Sequence, residues 1–93
     1  MPGKPSLPKS SVLNDIVDLM EEIMQDTSVP RNIRQAVDNA KTKLQSKEDV
    51  AVKVTGAIYL LDDISNDINM PSHTRTEIWT IISELESARE QNK

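Results

Sequence analysis

Val12, Leu13, Ile16, Val17, Leu19, Met20, Ile23 and Met24 recur at steps of three and four, the period that lays apolar side chains along one helix face. Asp15, Asp18, Glu22 and Asp26 form the polar stripe opposite, and Ser10 or Ser11 suits the N-cap. Thr27 and Ser28 break the run, and Pro30 suits the first turn of a second helix, with Ile33, Ala36, Val37, Ala40 and Leu44 at core spacing. Ser46 reads as the cap of a third helix with Glu48 and Asp49 in its first turn. Its apolar face is Val50, Val54, Ala57, Ile58, Leu61 and Ile64, widened by Leu60. Gly56 inside it costs about 1 kcal/mol against Ala unless a neighbouring backbone needs the room. After a connector at Asn66–Asn69, Pro71 opens a fourth helix with Ile78, Trp79, Ile81, Ile82 and Leu85 inward. Nothing alternates with period two over strand length, and no Asn-Gly or Asp-Gly turn appears. The pattern predicts an all-α domain.

The chain also overlies itself at an offset of 41 residues. Leu19 falls on Leu60, Ile23 on Ile64, Asp26 on Asp67, Pro30 on Pro71, Arg34 on Arg75 and Leu44 on Leu85. Two helical hairpins, about 12–45 and 53–86, are expected to be copies of one another. Asp26 and Asp67 fall at a helix C-terminal end, and Arg34 and Arg75 in the first turns of the next helix. Both placements oppose the helix dipole, so Asp26 with Arg34, and Asp67 with Arg75, are expected to compensate one another as structural pairs. An Asp near the turn and an Arg early in the second helix resemble HEAT repeats over about residues 14–87. Two repeats are few for a solenoid, so the expectation is four antiparallel helices, two HEAT-like hairpins forming a four-helix bundle. Residues 11–91 make the single domain. Residues 1–10, with proline at 2, 5 and 8 beside Gly3, read as a flexible tail, a docking peptide being the lesser alternative.

Three segments carry a second resemblance: Thr27-Ser-Val-Pro-Arg-Asn-Ile-Arg-Gln-Ala, Ala57-Ile-Tyr-Leu-Leu-Asp-Asp-Ile-Ser and Asn69-Met-Pro-Ser-His-Thr-Arg-Thr-Glu-Ile-Trp. They resemble a small archaeal family of uncharacterised proteins about 90 residues long. That resemblance implies a helical fold and an archaeal cytoplasmic setting, and it transfers no catalytic residue.

The inventory of 93 residues narrows the chemistry. With 37% hydrophobic residues, 28% charged residues and a net charge of −4, the chain has a globular composition and lacks the basic excess usual in nucleic-acid binders. There is no cysteine, hence no disulfide, no thiol nucleophile and no cysteine-based zinc site. One Tyr, one Trp and no Phe leave the core to aliphatic side chains. No apolar run approaches membrane-spanning length, and no secretory signal pattern leads the chain.

His73, the sole histidine, reads as a surface or capping residue, because no nucleophile or paired acid stands at a suggestive spacing. Two acidic runs, Asp18, Glu21, Glu22, Asp26 and Asp62, Asp63, Asp67, lack the glycine and acid spacing of a calcium loop and read as solvated faces. No cofactor or metal is expected. Arg31, Arg34, Lys41 and Lys43 make the second helix the basic part of the chain. Trp79 reads as core, with an interface hot spot as the alternative. These features favour a non-enzymatic helical module that meets a protein partner, or a second copy of itself, through its second and fourth helices. Arg31, Gln35, Lys41, Lys43 and His73 are its candidate surface. The alternative is an RNA- or DNA-associated accessory protein using the basic residues of the second helix.

Overall fold

The computed structural model describes residues 9–91, with side chains over 13–90. Four helices follow in order: α1 (Lys9–Gln25), α2 (Arg31–Leu44), α3 (Val50–Ile64) and α4 (Ser72–Gln91). The first helix begins two residues before the expected edge of the tail. The rest of that tail, residues 1–8, lies outside the described residues. Among the described residues there is no strand.

Apolar spacing sets the inward faces. Leu13, Ile16, Met20 and Ile23 of α1 are buried against Ile33, Val37, Ala40 and Leu44 of α2 and Val54, Ala57 and Leu61 of α3. Ile78, Ile81, Ile82 and Leu85 of α4 close the same core, and Val29 and Met70 cover it from the two turns. Ile64 is only partly buried against this cluster, and Leu60 lies on the surface. The inward face of α3 is therefore narrower than the full apolar list.

The helices form a ring. α1 neighbours α2 and α4, α3 neighbours the same two, and neither α1 with α3 nor α2 with α4 makes a neighbouring pair. Hairpins stacked by translation, as in a HEAT array, would set like helices side by side. Here like helices are diagonal, so the second hairpin relates to the first by rotation about the bundle axis. Rotation is what two hairpins alone require: each must bury its apolar face against the other, with no third repeat to continue a stack.

Several local expectations change. Asp49, not Ser46, is the residue before α3, and it makes no side-chain cap bond. Ser46 instead accepts the Glu48 amide at 3.4 Å, closing a small turn in the connector. Gly56 faces no backbone: a Cβ there would meet the Lys43 side chain at 2.7 Å. The room it leaves holds the aliphatic stem of Lys43, whose ammonium pairs with Glu48 at 2.6 Å.

Thr74 occupies in α4 the place that Ile33 holds in α2, and it is fully buried. Its hydroxyl has no hydrogen-bond partner. Thr74→Val keeps the shape and removes an unsatisfied polar group, so it is expected to stabilise the domain by about 1 kcal/mol. Urea unfolding followed by circular dichroism reads this directly, and a loss of stability would mean that the hydroxyl is satisfied in solution.

Candidate functional site

The turns inside the two hairpins, α1–α2 and α3–α4, share one main-chain bonding pattern. Asp26 N donates to Ile23 O (3.1 Å) and Val29 N to Asp26 O (3.1 Å); 41 residues on, Asp67 N donates to Ile64 O (3.0 Å) and Met70 N to Asp67 O (3.2 Å). The carboxylates close the turns as Asx caps. Ser28 N donates to Asp26 Oδ1 at 2.9 Å and Asn69 N to Asp67 Oδ1 at 2.8 Å. Each carboxylate then spends its second oxygen on the other hairpin. His73 Nε2 bonds Asp26 Oδ2 at 3.1 Å, and Asn32 Nδ2 bonds Asp67 Oδ2 at 2.8 Å. Position 32 falls on position 73 at the same offset, so the two bonds are reciprocal. They join the two turns at one end of the bundle.

This corrects the expected pairing of Asp26 with Arg34, and it moves the contact of Arg75 with Asp67 from the carboxylate to the main chain. Arg34 does not reach Asp26, nor Arg75 Asp67, by an ion pair. Arg34 Nε donates to Val29 O at 3.1 Å, and an Arg75 Nη donates to Asp67 O at 3.0 Å. Arg34 thus supplies a donor to the Val29 carbonyl at the helix entry, and Arg75 adds a second donor to the Asp67 carbonyl that already accepts the Met70 amide, while each carboxylate is taken by main-chain and cross-hairpin donors.

The hydrogen bonds from Ser28, with that from His73, hold the Asp26 carboxyl at about 2, below its ordinary 3.8. The Asn69 amide and Asn32, with the nearby charge of Arg75, lower Asp67. A carboxyl lowered by folding stabilises the fold above its unfolded pKa and loses that contribution as pH falls through its folded pKa. The thermal midpoint is therefore expected to drop between about pH 4 and about pH 2. The drop should be shallower in the double variant Asp26→Asn, Asp67→Asn, and an identical slope would show that these carboxyls do not contribute.

The candidate surface residues do not gather on one face. Lys41 turns to Glu21 on α1 at 3.3 Å, and Lys43 turns to Glu48 before α3, so they flank opposite sides of α2. His73 is engaged with Asp26, and Gln35 donates to Asn39 at 3.2 Å. Arg31 and Gln35 do come together, with Met24, Arg34 and Asp38, around an open cleft of about 240 Å³. No group of three or more His, Asp or Glu able to hold a metal occurs among the described residues.

The surface residues that sequence reasoning missed are the aromatics. Trp79 is not core: it is 48% exposed, and Tyr59 is 71% exposed. Arg89 on α4 donates to Thr55 Oγ1 on α3 at 3.3 Å, which fixes the facing flanks of the two helices. In helical phase, Tyr59 and Val52 follow Thr55 on the outer side, and Trp79 lies on the same flank as Arg89. Both rings thus belong to the outer surface of α3 and α4. The 41-residue repeat carried the signal, since Tyr59 falls on Asp18 and Trp79 on Asp38, both polar positions in the first hairpin.

Residues 5–88 match the uncharacterised protein family UPF0147. A UPF0147 protein of Methanocaldococcus jannaschii is 49% identical over 79 residues, covering 84% of this chain and 85% of its own length. The crystal structure of an unknown function protein, MMP1188, superposes with a TM-score of 0.84 at 50% identity, covering 90% of this chain and 97% of that one. A crystal structure of a UPF0147 protein from Thermoplasma acidophilum gives 0.80 at 36% identity, covering 86% and 95%.

Proposed function

Because the chain belongs to the UPF0147 family, whose members are described without an activity, we propose that it is a non-enzymatic interaction module that meets a protein partner through the outer face of α3 and α4. The observation that carries this reading is the placement of its two aromatic side chains. A bundle this small normally buries such rings, because each removes 150–250 Å² from water. This one builds its core from aliphatic residues alone and sets Tyr59 and Trp79 outside. Tryptophan and tyrosine are the side chains most enriched at binding hot spots.

The interaction surface thereby moves from α2 with α4, which are diagonal, to α3 with α4, which adjoin. The nucleic-acid alternative loses support, because Lys41 and Lys43 are paired within the fold. A cytoplasmic setting belongs to the same proposal; no helix among the described residues is long and apolar enough to cross a membrane.

The test compares tagged wild-type chain with the double variant Tyr59→Ala, Trp79→Ala in extract of the source cell. Both side chains are exposed, so the variant is expected to keep its helical signal and lose the proteins that the wild type retains. Equal retention would sink the reading.

A further inference from the structure

The cleft on the α1–α2 face and Trp79 on the α3–α4 face occupy matching places in the two hairpins. At the 41-residue offset Arg34 falls on Arg75, Gln35 on Thr76 and Asp38 on Trp79. The second hairpin therefore seats a half-covered indole where the first has the short side chain of Asp38 and an open cleft of about 240 Å³. One place in the fold is filled in one half and open in the other.

The lining of the cleft suits an indole. Met24 brings a thioether to it, and sulfur packs favourably against aromatic rings. Arg31 is exposed and makes no ion pair among the described residues. Arg34 is held on Val29 O through Nε, which fixes its guanidinium plane. Guanidinium groups are attracted to the face of an aromatic ring, and to tryptophan most of all. Asp38 also makes no ion pair among the described residues. Its carboxylate is an acceptor for an indole N–H, which takes a partner when it is buried.

The surroundings of Trp79 are acidic. Glu86 stands two turns on along the same side of α4, and Asp62 one turn on from Tyr59 along α3. Both are exposed and make no ion pair among the described residues. Acids beside the indole thus complement arginines beside the cleft. The α1–α2 and α3–α4 faces are opposite sides of the ring, so no copy reaches its own cleft.

We propose that Trp79 of one copy of this chain docks in the cleft of a second copy, its ring against Met24 and the Arg31 and Arg34 guanidinium groups, with Asp62 and Glu86 alongside. This rests on the reading of the α3–α4 face as an interaction surface, and it names the partner. Indole and cleft lie on opposite sides of one copy, so the contact is heterologous. Copies add side by side in a row instead of closing as a two-fold pair. A contact centred on one half-exposed ring belongs to the small, weak class, so it forms at high protein concentration.

Sedimentation velocity of the full chain tests this. Wild type is expected to gain mass with concentration, past twice the monomer mass. Trp79→Ala keeps the cleft and loses the indole, whereas Asp38→Trp keeps Trp79 and fills the cleft as the second hairpin does. Each variant alone is expected to stay monomeric. An equimolar mixture of the two should form a pair and stop there, because only one competent contact remains. Arg31→Glu, an exposed substitution that leaves the core alone, should weaken wild-type association about tenfold. Wild type that stays monomeric up to about 1 mM would overturn the proposal, as would a mixture that stays monomeric while wild type associates. Monomeric wild type, with capture still lost in the aromatic double variant, removes the second copy and leaves the face to another protein. Association as expected, with capture unchanged in that variant, keeps this contact and assigns the captured proteins to another surface.

Discussion

Leu61→Ala is expected to cost about 2–5 kcal/mol, against a total stability of about 5–15 kcal/mol for a domain of this kind. Leu61 is fully buried at the centre of the cluster, on the helix that touches both α2 and α4. Truncation there removes its contacts and leaves a cavity that the surrounding helices cannot close without moving together. Ile64→Ala, three residues on, is expected to cost clearly less, because Ile64 packs at the edge of the core and is already part-exposed. Urea midpoints of the two variants measure the contrast. Equal losses would mean that the inward face of α3 extends to Ile64.

The second large effect belongs to the turns. Arg34→Ala removes the donor to Val29 O, and Val29 is buried. Losing a charged donor to a part-buried carbonyl is expected to cost about 1.5–3 kcal/mol. Arg75→Ala, at the equivalent place in the chain, should cost less, because Arg75 donates not to Met70, the counterpart of Val29, but to Asp67 O, which keeps its bond from the Met70 amide. Arg75 differs in one further respect: its Nε is buried without a partner, which offsets part of what its Nη supplies. Double-mutant cycles assign the contacts. Asp26 and Arg34 are expected to behave additively, while Asp26 with His73 should show coupling, as should Asp67 with Asn32. Strong coupling of Asp26 to Arg34 would restore the ion pair that the sequence suggested.

Much of this architecture is legible before any coordinates, because three- and four-residue apolar steps and paired prolines report helices and turns directly. The 41-residue offset goes further and identifies Asp26, Asp67, Arg34 and Arg75 as turn residues. What it cannot supply is the partner of each. Dipole reasoning treats an Asp and an Arg as net charges, and so joins them. The turn treats them as a set of donors and acceptors, in which main-chain amides reach the carboxylate first and main-chain carbonyls reach the guanidinium first. Trp79 was misplaced for another reason. Five large apolar residues within eight positions of α4 exceed what one face can bury, and hydrophobicity alone does not say which one is left outside. The aspartate at the matching place in the first hairpin does.

The reciprocal bonds between the turns also bear on how the two halves have diverged. Two free hairpins of one sequence could form this ring only as a homodimer, and every surface position would have to satisfy both partners at once. A five-residue connector holds the halves at an effective concentration on the order of millimolar, whatever the likeness of their sequences. Tethering relieves each hairpin of the need to match its own copy. His73 can then stand where the other half has Asn32, and Thr74 where it has Ile33. The outer positions of the second hairpin are free to exchange aspartate for tyrosine and tryptophan, while its inward positions go on building half of the shared core.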